Sequence, residues 1–350
     1  MRPDPASEAA CTIGGVVVNN SSGMACGTTG AADADEQLRL LEPDLYAGLL
    51  GLRDRVRANP ASVATIERQF AMKNTMGYGI NALLDHDTPA QILTHLIVGS
   101  EGTLAFVAAA VFRTVPLRTE LSSALLLFDD LYAANRALPE LVATGAATLE
   151  LMDATSLRVG EAFPDCPDPI KALAVDGQAA LLLEYQATSA AELTELVAAA
   201  GPTLAGLPTL SPAVLSEDAA LRYQLWKLRK GLYTSVAGAR PPGTTALLED
   251  IVVPVAELAP TCVDLTRLFD SYGYGDSVIF GHAKDGNIHF MITDRFEGEA
   301  SLGRYRDFTE DLVDLVLGNG GSLKAEHGTG RVMAPYVARQ YGEELYAVMC

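Results

Sequence analysis

Apolar residues recur along this chain at two spacings, and each spacing predicts a different kind of element. From about Glu36 to Ile66, positions Leu38, Leu41, Leu45, Leu49, Leu52 and Val56 return every three to four residues. That is the period at which side chains revisit one face of a helix. Pro43 and Pro60 break the run, because a proline has no backbone N–H to continue a helical ladder but starts a new helix readily. Residues 92–115 alternate short apolar runs with glycine. Ile92 to Val98 reads as helix or strand, Gly99 to Thr103 as a tight turn, and Ala105 to Val115 as a strand ending at Pro116.

A boundary is expected near Pro116 to Glu120, dividing the chain into 1–117 and 118–350. Beyond it the pattern changes to strand–helix units. Strands are predicted at Ser122 to Phe128, Ala147 to Met152, Ala179 to Tyr185, Thr245 to Val253, Ser277 to Phe280 and Ile288 to Thr293. Helices are predicted at Leu131 to Thr144, Ala190 to Ala200, Ser216 to Val236, Val255 to Tyr272 and Gly303 to Leu317. This rhythm predicts an α+β fold, with helices on one face of a largely antiparallel sheet.

Composition narrows the class. Apolar residues make up 49% and charged residues 20% of 350 positions, enough apolar surface for packed cores in two domains. The formal net charge of −19 and the absence of basic clusters argue against a nucleic-acid partner. A small anionic substrate needs only a local cation, so it stays open. The five cysteines are far apart and form no Cys-x-x-Cys pair, which speaks against a disulfide framework, a zinc ribbon or an iron–sulfur cluster. No secretory h-region follows Met1, and no run of about 18 apolar residues predicts a transmembrane helix. A cytoplasmic setting is expected.

Four groups of residues offer chemistry. The first is Gly281-His282-Ala-Lys-Asp-Gly-Asn-Ile-His289. Asp285-Gly286-Asn287 signals a turn between two short β runs, which brings both imidazoles to one end of a hairpin. Two neutral imidazoles suit a divalent ion such as Zn²⁺ or Mn²⁺, although two hydrogen-bonded strand histidines satisfy the same pattern. The second is Lys324-Ala-Glu326-His327-Gly-Thr-Gly330, where Glu326 offers an oxygen ligand and His327 an imidazole suited to general-base work. Glycines beside them allow the backbone to kink, so that adjacent side chains can serve one site; a capping pair in a loop is the plainer reading.

The third is Arg229, on the helix that begins at Ser216. A guanidinium grips a carboxylate in a two-pronged fork, and a solvated basic helix face fits the spacing equally well. The fourth is a pair of glycine-rich stretches, Gly14, Gly15, Asn19, Asn20, Ser21 and Gly23, and Gly99, Ser100, Glu101, Gly102 and Thr103. Such stretches present backbone N–H groups to a phosphate or dinucleotide, and plain tight turns remain an alternative. His86 and His95 have no partners nearby in sequence and are expected in core or surface roles.

Taken in order, these segments resemble the FAD-linked oxidase family of the vanillyl-alcohol oxidase type, and within it bacterial D-lactate, glycolate and D-2-hydroxyglutarate dehydrogenases. The resemblance rests on Pro3-Asp-Pro-Ala-Ser with Thr12-Ile-Gly-Gly and Asn19-Asn-Ser-Ser-Gly, then Gly99-Ser-Glu-Gly-Thr-Leu, the His282–His289 segment and Ala325-Glu-His-Gly-Thr-Gly. It implies that 1–117 is the C-terminal part of an FAD-binding domain and 118–350 a cap domain carrying substrate and metal. The two glycine-rich stretches would embrace FAD; His282, His289 and Glu326 would bind a divalent metal. His327 would take the hydroxyl proton and Arg229 would hold the carboxylate of a small 2-hydroxy acid. Electrons would pass to a quinone, a cytochrome or an iron–sulfur module, with the protein cytoplasmic or peripheral at the inner membrane face.

The chain also departs from the family pattern. It begins after the family's first glycine-rich loop and ends before the usual Asn-Pro-Gly, which implies a fragment. Met291 stands where a substrate-binding Asn is expected, and a family Lys is missing near Leu248, with Glu249 and Asp250 beside it. Two other readings follow: a truncated, inactive remnant serving as a folding or interaction module, and a flavin-free metallohydrolase using the same His and Glu residues.

Overall fold

The computed structural model describes residues 12–19, 34–111, 115–164 and 166–350. The chain forms two compact units, Met1–Val115 with Ser322–Cys350, and Pro116–Gly321. The stretch from 322 onward packs with the first unit.

In the second unit six strands form one sheet: β1 Glu120–Phe128, β2 Thr148–Met152, β3 Ala179–Ala187, β4 Thr245–Val252, β5 Val278–His282 and β6 Asn287–Asp294. Their order is β1-β3-β2-β5-β6-β4, and every pairing is antiparallel. The expected antiparallel α+β character is present. Helices, however, cover both faces rather than one. The near-continuous apolar run of β3, in which all but Gln186 are buried, shows why: an alternating strand exposes one face, and this one exposes neither.

On one face, Leu225, Leu228 and Leu232 of helix Ala219–Ala239 pack with Leu157, Leu182, Met152, Phe280 and Met291. Each such buried aliphatic side chain is worth about 1.5–3 kcal/mol. On the other face, Phe290 meets Phe269 of helix Leu258–Ser271 and Phe308 of helix Gly298–Gly318. Tyr185 there shares a hydrogen bond of 2.6 Å with Thr144.

The helix expected from Leu131 to Thr144 is two helices, Leu131–Arg136 and Leu138–Ala143, broken beside Pro139. Helix Ala154–Glu161, which the hydrophobic pattern missed, starts at Asp153, whose side chain accepts from Ser156 N. The β5–β6 hairpin turns through Ala283–Asp285 and a left-handed Gly286, as the Asp-Gly-Asn signal predicts. Gly281 is required for this pairing. A Cβ there would lie 2.5 Å from Ile288 Cα and 2.6 Å from Asn287 O.

In the first unit the prolines do restart helices: Ala34–Leu41, Pro43–Arg57 and Pro60–Phe70 follow one another. Asn59 caps the third through Ala61 N and Ser62 N, and Leu49, Val56 and Ile66 are buried. Helix Pro89–Ile97 settles the reading of residues 92–98. The strand expected from Ala105 to Val115 is irregular over its described residues. No other strand is described in this unit, and a strand without a pairing partner has no ladder to stabilise it.

The 322–350 segment is wired to residues 69–77. Thr75 N donates to Lys324 O (3.0 Å), Gln340 Nε2 to Gln69 Oε1 (3.0 Å), and Tyr341 Oη to Met76 O (2.9 Å). These bonds satisfy buried polar groups that would otherwise cost about 1–3 kcal/mol each.

Candidate functional site

Candidate residues occur in each of the two units. In the second, antiparallel pairing sets which side chains share a face. Glu150 is the register partner of His282, and His289 is the partner of both Phe280 and Asp250. Partners point to the same side of a sheet. His282 and His289 therefore lie on one face, with ring centroids 5.2 Å apart and ring planes near perpendicular. A ring nitrogen of each lies within 4.8 Å of one on the other, and a carboxylate oxygen of Asp250 lies within 4.8 Å of a His289 nitrogen.

Arg229 reaches the same face. It sits four residues after Leu225 on the helix side that packs onto the sheet, and is 8% exposed. The solvated-face alternative is thus overturned by the packing of Leu225, Leu228 and Leu232. Its guanidinium lies 4.9 Å from the centroid of the Phe280 ring and pairs with Glu150 Oε2 at 2.9 Å. The other Glu150 oxygen accepts from His282 Nδ1 at 2.8 Å. Burial by itself would raise the Glu150 carboxyl. The charges of His282 and Arg229 and the hydrogen bond from His282 outweigh burial and hold the group at about 2.

Glu150 and Asp250 are site residues that motif reading did not single out. Glu150 left a faint signal, a lone acid between apolar neighbours in Thr148-Leu-Glu-Leu-Met152. A second acid on this face, Glu184, is also buried and satisfied. Ser123 Oγ donates to it at 2.8 Å, Trp226 Nε1 at 2.9 Å and Arg222 at 3.2 Å. Leu248 and Met291 are direct partners on β4 and β6.

In the first unit, Glu326 and His327 lie on a segment tied down by Thr75. Gly328 N donates to Thr75 Oγ1 at 3.0 Å, and Gly77 N to Thr329 Oγ1 at 2.7 Å. The Glu326 carboxylate lies 3.6 Å from Lys73 Nζ. The anticipated kink is present. Gly328 has φ +75°, a left-handed conformation that side chains other than glycine adopt only under strain.

The glycine-rich stretches meet this segment. Gly99 N donates to Val17 O at 3.2 Å, Glu101 N to Val18 O at 2.6 Å, and Asn19 Nδ2 to Glu326 O at 3.4 Å. Gly14 abuts Val107 O, and Thr103 Oγ1 bonds Tyr78 Oη at 2.8 Å. Three motifs far apart in sequence thus converge within one unit. Gly14 and Gly15 form a short helix, Ile13–Val18, capped by Thr12, rather than an open loop. Gly99, Glu101 and Gly102 have positive φ, and Ser100 is buried. Successive N–H groups on such small-residue turns suit the polar backbone of a nucleotide ligand. Asn20, Ser21 and Gly23 lie outside the described residues. His86 and His95 stack on each other with centroids 3.8 Å apart.

Residues 118–350 match the C-terminal domain of FAD linked oxidases. Over 349 residues the chain is 27% identical to glycolate oxidase subunit GlcD of Bacillus subtilis, covering 98% of this chain and 65% of that one. It is 30% identical over 290 residues to D-2-hydroxyglutarate dehydrogenase of Escherichia coli, covering 77% and 27%. To D-lactate dehydrogenase of Archaeoglobus fulgidus it is 26% identical, covering 98% and 66%. The chain spans 61–65% of the length of the glycolate oxidase subunits it matches. The match takes in β1 to β6, the buried Arg229 and the paired histidines. The chain belongs to the FAD-linked oxidases.

Proposed function

We propose that the protein oxidises a D-2-hydroxy acid of the lactate, glycolate or hydroxyglutarate class to its 2-oxo acid. In this reading His282, His289 and Glu326 hold a divalent ion, zinc or manganese. Arg229 grips the substrate carboxylate, and His327 accepts the hydroxyl proton as C2 gives up its hydride. The stretches around Gly14–Gly23 and Gly99–Thr103 line FAD. When bound, the flavin supplies a hydride acceptor and the ion supplies Lewis acidity toward the hydroxyl. The electrons would leave to a separate acceptor, a quinone, a cytochrome or an iron–sulfur partner.

The observation that carries this reading is a pair of imidazoles with nitrogens within 4.8 Å, on the same sheet face as a buried guanidinium. A divalent ion needs converging neutral nitrogens, and a carboxylate needs a fixed cation nearby. The relatives named glycolate oxidase, D-2-hydroxyglutarate dehydrogenase and D-lactate dehydrogenase support the substrate class. Among the described residues no helix is long and apolar enough to cross a membrane.

The test is anaerobic mixing of the FAD-loaded protein with D-lactate, glycolate and D-2-hydroxyglutarate while following flavin absorbance. Bleaching by at least one acid is expected. Loaded protein that none of them bleaches would overturn the reading. Protein that takes up no flavin would point to the remnant, and flavin-independent hydrolysis with metal to a hydrolase.

A further inference from the structure

Glu150 lies within hydrogen-bonding distance of two groups to which the proposed function gives separate tasks. Its Oε1 faces His282 Nδ1 at 2.8 Å and its Oε2 faces Arg229 at 2.9 Å. Glu150 as a whole residue is 4% exposed. It cannot move freely, because Glu150 is centred on β2, with Leu182 of β3 on one side and His282 on the other.

We propose that Glu150 is a positioning residue, holding His282 in the Nδ1–H tautomer, which leaves the lone pair on Nε2, and aiming Arg229 at the same face. An ionised carboxylate only accepts hydrogen bonds, so the nitrogen against it must carry the proton and the other nitrogen keeps its lone pair. The same carboxylate neutralises a guanidinium that would otherwise be buried alone. It leaves that fork several N–H groups for a second anion. A carboxylate behind a ligating imidazole fixes ring orientation and raises ligand basicity. Here one acid does this for the ligand and for the anion-binding arginine together, so ion retention and substrate grip are coupled through a single strand position. This deepens the proposed function and rests on it for the identity of the ion and the anion.

The test compares two folded double variants of the whole chain, Glu150→Gln/Arg229→Met and Glu150→Leu/Arg229→Met. Both remove the buried charge pair, so neither leaves an orphaned guanidinium, and they differ in whether an acceptor faces His282. At pH 8, ¹⁵N NMR of the imidazoles reads the tautomer, and calorimetric titration with manganese(II) chloride reads the ion. The wild type and the Gln variant are expected to show His282 protonated at Nδ1. The Leu variant is expected to lose that preference and to bind manganese about 10–100-fold more weakly than the Gln variant. Identical tautomers in the Leu and Gln variants would overturn the proposal. Wild-type protein that takes no manganese, yet shows the tautomer difference, would sink the metal reading and leave the positioning role standing.

Discussion

Arg229 and Glu150 form an ion pair of 2.9 Å in which the side chains are only 10% and 6% exposed. Removing one member leaves a buried charge without its counter-charge, which costs about 3–5 kcal/mol, whereas replacing both with apolar side chains is often close to neutral. Glu150→Leu and Arg229→Met should each lower unfolding free energy by that amount, and the double variant should recover most of it. Urea denaturation of the full cycle measures this. Additive losses in the double variant would show that the pair is not coupled.

Gly281 and Gly238 should respond oppositely to alanine. A Cβ at 281 meets backbone atoms of the neighbouring strand at 2.5–2.6 Å, while at 238, in helix Ala219–Ala239, nothing lies within 4 Å. Gly281→Ala should disrupt the hairpin carrying both histidines, with a loss of several kcal/mol (about 3 or more) from overpacking against backbone. Gly238→Ala should raise stability by about 0.5–1 kcal/mol. Thermal unfolding of the two proteins distinguishes them.

Asp153 makes stability depend on pH in a definite direction. Burial raises its carboxyl to about 6, against the lowering effect of Ser156 and Ile279. Between about 4 and 6 the folded state therefore holds more protons than the unfolded state. This group's contribution is fully present below about 4 and is lost as the pH rises through 6, by about 2–3 kcal/mol at neutrality. Asp153→Asn cannot ionise, so the stability of wild type relative to this variant should fall between pH 4.5 and 7. A difference that stays constant across those pH values would contradict the assignment.

The proposed roles of the two C-terminal histidines separate by metal content. His327→Ala should lower the rate of flavin reduction by about 10²–10⁴-fold, the range for a lost general base, with metal content unchanged. His289→Ala should lose the metal, measured by elemental analysis of dialysed protein. Turnover that survives the first change, or metal that survives the second, removes that residue from its role.

Much of the local structure was written in the sequence. The prolines at 43 and 60, the 3.6-residue spacing of leucines and the Asp-Gly-Asn turn depend on backbone stereochemistry within a few residues, and all appear where that stereochemistry predicts. The site's ingredients, His282, His289 and Arg229, were legible as residue types. What tertiary structure alone decided was their company. Glu150 is 132 residues from His282, and only the β2–β5 register makes them partners. Arg229 read equally as a surface charge until Leu225, Leu228 and Leu232 turned its helix face onto the sheet. The stretch from 322 onward returned to residues 69–77 through buried side-chain bonds with no local signature. Short-range preferences act between neighbours on the chain, whereas strand order and the burial of polar groups are settled by the packing of the whole unit, which no window of sequence contains.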